Sequence, residues 1–147
     1  MTSDEREAIA EEIGDYVVAL AANLGLRDWV FTIRVNPRKK GYQAMVVPTQ
    51  GRRIAQIRIG PEFKTLSPNT QRNAIVHELL HLHHRDTADL IRIRLGPKVM
   101  SQLLYDVVWA QYKELEELAT DTLATAIDRM FPFPPWSEAA DVEPTPQ

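Results

Sequence analysis

Apolar positions recur along this chain in two rhythms, one helical and one of strand alternation. Near the N-terminus Ile9, Ile13, Tyr16, Val17, Leu20 and Leu24 follow one another at steps of mostly three and four. That spacing lines one face of a helix. Thr2, with Glu5 three positions on, forms a capping box at its start, and Gly25 is a natural stop. Over 29–35 the rhythm becomes alternation, with Trp29, Phe31, Ile33 and Val35 on one side and Thr32 and Arg34 on the other. A second strand is expected over 42–47. A third is expected over 53–59, where Ala55, Ile57 and Ile59 share a face and Gln56 and Arg58 face away. The connecting loops are short, which favours antiparallel pairing.

The helical rhythm returns after Ser67-Pro68, a serine cap followed by proline at the first helical position. This helix is predicted to run to about position 85, buried through Ile75, Val76, Leu79, Leu80 and Leu82. The stretch 86–95 reads as a short helix or a loop. Gly96-Pro97 punctuates the chain before a long helix expected over 98–130. The apolar set of that helix is Leu103, Leu104, Val107, Val108, Leu115, Leu118 and Leu123. From Phe131 the chain turns proline-rich and then acidic, and half of its ten prolines lie there. Extended or disordered chain is expected over 133–147, tacked on through Phe131, Phe133 and Trp136. The pattern predicts an α+β fold in one domain over 1–132: a helix, a small three-stranded sheet with an antiparallel edge strand, a second helix and a long final helix.

Composition narrows the chemistry. At 147 residues and 44% hydrophobic, the chain can bury one real core. A net charge of −3 argues against a protein that coats nucleic acid. The basic runs Arg38-Lys39-Lys40 and Arg52-Arg53 are the only local support for such a role, and they flank opposite ends of the middle strand. There is no cysteine, which excludes disulfides, thiolate metal sites and cysteine nucleophiles. Any metal must be held by His, Asp or Glu. The acidic N-terminus does not resemble a signal peptide and no apolar run is long enough to span a bilayer, so a cytoplasmic protein is expected.

The decisive pattern is His77-Glu78-Leu79-Leu80-His81, an H-E-x-x-H sequence of the kind that binds zinc in metallopeptidases. Residues four apart on a helix share a face, so both imidazoles aim at one point. Glu78 follows the first ligand and can act as general base on a metal-bound water. A catalytic zinc site usually takes three protein ligands. A histidine ten residues after His77 would serve, but position 87 is Thr. All four histidines lie between positions 77 and 84, and His83 and His84 are rotated away from the 77/81 face. What remains is a carboxylate from the long helix. Glu117-Leu-Ala-Thr-Asp121 places two on one face: Glu117 to ligate the metal, Asp121 to accept the remaining ring N–H of a ligand histidine. Glu116 and Glu114 are the fallback ligands.

His77-Glu78-Leu79-Leu80-His81 followed by Glu117-x-x-x-Asp121 resembles the gluzincins, and the order of elements looks like their small members, the minigluzincins and related phage or bacterial zincin-like domains. The resemblance covers roughly residues 10–130. It implies a zincin-like fold, one Zn²⁺ per chain held by His77, His81 and Glu117, Glu78 as catalytic base, and Asp121 behind the ligands. It also implies that the strand preceding the motif helix, with Ala55, Gln56, Ile57, Arg58 and Ile59, is the edge that pairs with an extended protein or peptide substrate. Tyr105, Tyr112, Arg85 and His84 are the candidates for stabilising the oxyanion. The expected function is therefore a zinc metallopeptidase. The competing reading is a zincin-shaped module that binds a protein regulator or nucleic acid, with a structural or vestigial zinc, and the intact Glu78 favours the enzyme.

Overall fold

The computed structural model describes residues 2–36 and 43–137. The expected basic loop 38–40 and the chain beyond 137 lie outside the described residues. Helix α1 spans Ser3–Asn23. Its capping box forms as the sequence suggests: the Thr2 hydroxyl accepts from the Glu5 amide and the Glu5 carboxylate accepts from the Thr2 amide. Ile13, Tyr16, Val17, Leu20 and Ala21 bury its inner face. The chain then turns through Gly25, whose φ of +76° is a left-handed conformation that favours glycine.

Strands β1 (Val30–Val35), β2 (Ala44–Pro48) and β3 (Ile54–Ile59) form a mixed sheet in the order β1-β3-β2. β3 is central. It pairs parallel with β1, Ile33 beside Ile57, and antiparallel with β2, Val46 beside Ile57. Two expectations are corrected here. Short loops do not pair the strands in sequence, because β1 and β2 both lie against β3. And β3, with Ala55, Gln56, Ile57, Arg58 and Ile59, is not an edge, because hydrogen bonds occupy both its sides. The physical reason lies in burial. Ala55, Ile57 and Ile59 are almost wholly excluded from solvent and sit where α1 and the motif helix meet the sheet. The antiparallel edge strand is β2.

Helix α2 (Pro68–Leu80) starts on the Ser67 hydroxyl, which accepts from the Thr70 amide at 3.2 Å. It buries Ile75, Val76, Leu79 and Leu80. It stops five residues short of its expected end. His81–His84 tighten into a 3-10 turn, Arg85–Asp89 form the short helix α3, and Leu90–Leu95 widen into a π-helical stretch. The long helix is also divided. α4 (Gly96–Val99) ends at Met100, which is extended, and Ser101 caps the new helix α5 (Gln102–Ile127). Gly96 sits so close to the Tyr105 ring that a Cβ there would lie 2.5 Å from it, which explains a glycine at the junction.

The face of α5 that turns inward is not its leucine face. Glu116, Thr120 and Ala124 are buried, at four-residue steps, while Leu103, Leu104, Val107, Leu115, Leu118 and Leu123 are exposed. After a last 3-10 turn the chain from Phe131 to Ser137 packs back on the body. The Tyr16 hydroxyl donates to the Pro132 carbonyl at 2.8 Å, and Trp136 Nε1 donates to Gln71 Oε1 at 2.8 Å. No helix among the described residues is long and apolar enough to cross a membrane.

Candidate metal centre

The crossing of α2 and α5 brings the two motifs together. His77 lies in the last turn of α2, and His81 stands at the junction with the 3-10 turn. Their Nε2 atoms are 3.0 Å apart. Glu117 of α5 faces both: Oε1 lies 3.2 Å from His77 Nε2 and Oε2 lies 3.5 Å from His81 Nε2. The far side of each ring meets a carboxylate. His77 Nδ1 is 3.0 Å from Asp121 Oδ1, and His81 Nδ1 is 2.9 Å from Glu116 Oε1. With the ring protons on Nδ1, donated to these carboxylates, both Nε2 lone pairs point at the same spot as Glu117.

Three lone-pair donors facing one another repel unless a cation lies among them. Tetrahedral zinc with ligand bonds of about 2.05 Å separates its ligand atoms by about 3.3 Å. The two histidine nitrogens are 3.0 Å apart and Glu117 reaches them through different oxygens, at 3.2 and 3.5 Å, all near that value. Two imidazoles and one carboxylate suit zinc and similar transition metals better than magnesium or calcium. His77, His81 and Glu117 are therefore a fitting donor set for one divalent ion.

Glu78 points toward β2. Its Oε2 accepts from the Val46 amide at 2.6 Å. Burial raises its carboxyl above the ordinary carboxylate range, and the Val46 amide and the two histidines only partly offset this. Gln43 and Thr49 hydrogen-bond toward β3, so Ala44, Val46 and Pro48 turn their backbone polar groups to the open edge. Glu78 has taken one of the amides presented there.

The site opens into a cleft of about 350 Å³. It is lined by Ala44, Met45, Val46 and Pro48 of β2, by Trp109, Lys113, Glu116 and Glu117 of α5, and by Arg85 and Arg92. The structure thus groups His77, Glu78, His81, Glu117 and Asp121. It removes β3 from the site and puts β2 there. Of the four oxyanion candidates only Arg85 lines the cleft. Tyr112 donates to the His84 carbonyl at 3.1 Å, and Tyr105 stacks on Trp109. Glu116 was foreseen only as a fallback ligand; its position behind His81 follows from its burial. A clue was present in the sequence, since each ligand histidine needs its own partner and Asp121 can serve only one.

Comparison with protein-family models, with curated proteins and with solved structures finds no match. The gluzincin resemblance rests on this chain's own residues.

Proposed function

We propose that this chain is a zinc-dependent metallopeptidase of zincin-like architecture. The observation that carries the reading is the convergence of His77 Nε2, His81 Nε2 and the Glu117 carboxylate beside a half-buried carboxylate, Glu78. A metal held by these three residues would polarise a substrate carbonyl and acidify a water. Glu78 takes the proton of the attacking water and passes it to the departing amine, so one carboxylate begins and ends the cycle ionised. Burial favours its protonated form and so prepares it to hold that proton.

The substrate is an extended peptide. β2 presents the Ala44 amide and the Ala44 and Val46 carbonyls along the cleft, the Val46 amide being held by Glu78, and strand addition there binds main chain with little regard to side chains. Of the cations lining the cleft, Arg85, Arg92 and Lys113, Arg85 is the one we assign to meet charge developing on the carbonyl oxygen. Its ion pair with Asp89 at 2.9 Å leaves the Nε proton without a hydrogen-bond partner.

Elemental analysis together with a peptide-library digest tests the reading. One zinc per chain and cleavage by the unmodified protein are expected. Glu78→Gln keeps the metal and slows cleavage by about 10²–10⁴-fold. Equal cleavage by metal-loaded Glu78→Gln rejects the mechanism.

A further inference from the structure

Among the described residues, eleven large apolar side chains are exposed, and eight of them fall from Val99 to Met130. Four of these eight, Leu104, Val107, Leu115 and Leu118, follow one line on α5. Leu104, Val107, Gln111, Leu115 and Leu118 are separated by steps of three, four, four and three. These steps average about 3.5 residues, which keeps the five in one stripe along the helix, as a helix-pairing seam requires. Leu115 and Leu118 are 66% and 64% exposed, and Leu103, beside the seam, is 77% exposed. The opposite side of the helix holds Glu116, Thr120 and Ala124 against α2.

We propose that this face pairs with the same face of a second copy of the chain, antiparallel, with the twofold axis passing at Gln111. The pattern is symmetric about that residue. Leu104 and Leu118 each lie seven positions from it, and Val107 and Leu115 each lie four. An antiparallel pair therefore seats Leu104 on Leu118 of the second copy, Val107 on its Leu115, and Gln111 on its Gln111. A twofold interface requires such self-complementarity. The two amides can hydrogen-bond to each other and pin the register, as a single polar residue does in other helix pairs.

Charge decides the direction. Beyond Gln111, α5 carries Glu114, Glu116, Glu117 and Asp121 against Lys113, while the turns before Gln111 carry only Asp106. Parallel pairing would align acid with acid. Antiparallel pairing lays each acidic half along the other's less charged half.

Area sets the strength. A register centred on Gln111 overlaps residues 102–120 of each helix, a contact about 27 Å long. A single helix pair of that length falls below the standard interface of roughly 800 Å² per partner, which places the dimer in the weak, reversible class. The cleft residues of α5, Trp109, Lys113 and Glu117, project away from the seam, so pairing leaves the cleft open. The proposal does not depend on the metal or on the peptidase reading.

Sedimentation of the full chain over a concentration series tests the state, and single cysteines test the register. The unmodified protein should pass from one to two copies as concentration rises through about micromolar to hundreds of micromolar. Leu115→Glu and Leu118→Glu should remain monomeric throughout with unchanged helix content. The chain has no cysteine, so Gln111→Cys offers one thiol, on the axis, and should oxidise to a linked dimer. Thr125→Cys, on the same face but far from the axis, should not. A monomer at the highest concentration would overturn the proposal and leave the face to some other partner. Dimers that persist in Leu115→Glu, or linking through Thr125→Cys as readily as through Gln111→Cys, would overturn it as well. The cysteine pair remains decisive even if a glutamate variant fails to fold.

Discussion

Each imidazole of the candidate metal centre is held from behind by a carboxylate, and the two carboxylates differ in depth. The Asp121 side chain is 64% exposed, whereas that of Glu116 is 5% exposed. Removing either should weaken zinc binding, because such partners fix the ring and its tautomer, typically contributing about 10–100-fold. Calorimetric titration should put Asp121→Ala near the lower end, since water can replace an exposed acceptor, and Glu116→Ala near the upper end. Unchanged affinity in both would remove them from the site. Glu116 also makes stability depend on pH. Burial alone would raise its carboxyl, but hydrogen bonds from Lys113 and His81 outweigh it and hold it below the ordinary value. A carboxyl lowered by folding adds stability that is complete above its unfolded pKa, about 4.3, and is lost as pH falls through the folded value. In urea unfolding of the metal-free protein, the advantage over Glu116→Gln should be present at neutral pH and fade below about pH 4. A gap independent of pH would deny the linkage. The paired faces His77/His81 and Glu117/Asp121 were legible because a helix turn makes residues four apart neighbours. Glu116 was not, because its role depends on where α5 crosses α2.

At the scale of elements, periodicity located the helices and strands but not their partners. The three strands are alike in length and alternation, so nothing local says which is central. One residue does carry a hint: Pro48 lacks an amide proton and is tolerated only where that amide would face away from the ladder, at an edge. α5 misled in another way. Its apolar stripe points to solvent, and the face with Glu116, Thr120 and Ala124 meets α2 instead. The edge assignment can be tested with two prolines. Ala44 and Val46 both face off β2, so proline at either removes no hydrogen bond to β3. Ala44→Pro deletes a free amide and should raise KM for long peptides with kcat largely kept. Val46→Pro deletes the amide that holds Glu78 and should lower kcat instead. If both variants cleave long peptides as the unmodified protein does, substrate does not bind along β2.

On the scale of the whole molecule, α1, α2 and the chain after α5 are joined by a small polar and aromatic clasp. Trp136 stacks edge-on against Tyr16 at 5.5 Å, and Lys64 lies over its ring at 5.1 Å. Its indole donates to Gln71, whose own amide donates to the carbonyls of Lys64 and Leu66 at the entry to α2. Arg72, also of α2, donates to the Phe131 carbonyl at 3.0 Å. Burial raises the Tyr16 phenol, which therefore stays neutral and donates to Pro132. The clasp ties the C-terminal end of the fold to the start of the motif helix, on a different part of α2 from His77 and His81. It should therefore carry stability and not chemistry. Trp136→Phe keeps most of the ring but leaves the buried Gln71 oxygen unpaired, a loss of about 1–3 kcal/mol. Trp136→Ala also removes the packing and should reach about 3 kcal/mol or more. For a chain of this size about 1 kcal/mol corresponds to roughly 2–4 °C in Tm. Thermal unfolding should then fall by several degrees for Trp136→Phe and further for Trp136→Ala, while zinc stoichiometry at low temperature stays at one. An unshifted Tm in Trp136→Ala would show that the segment merely rests on the domain.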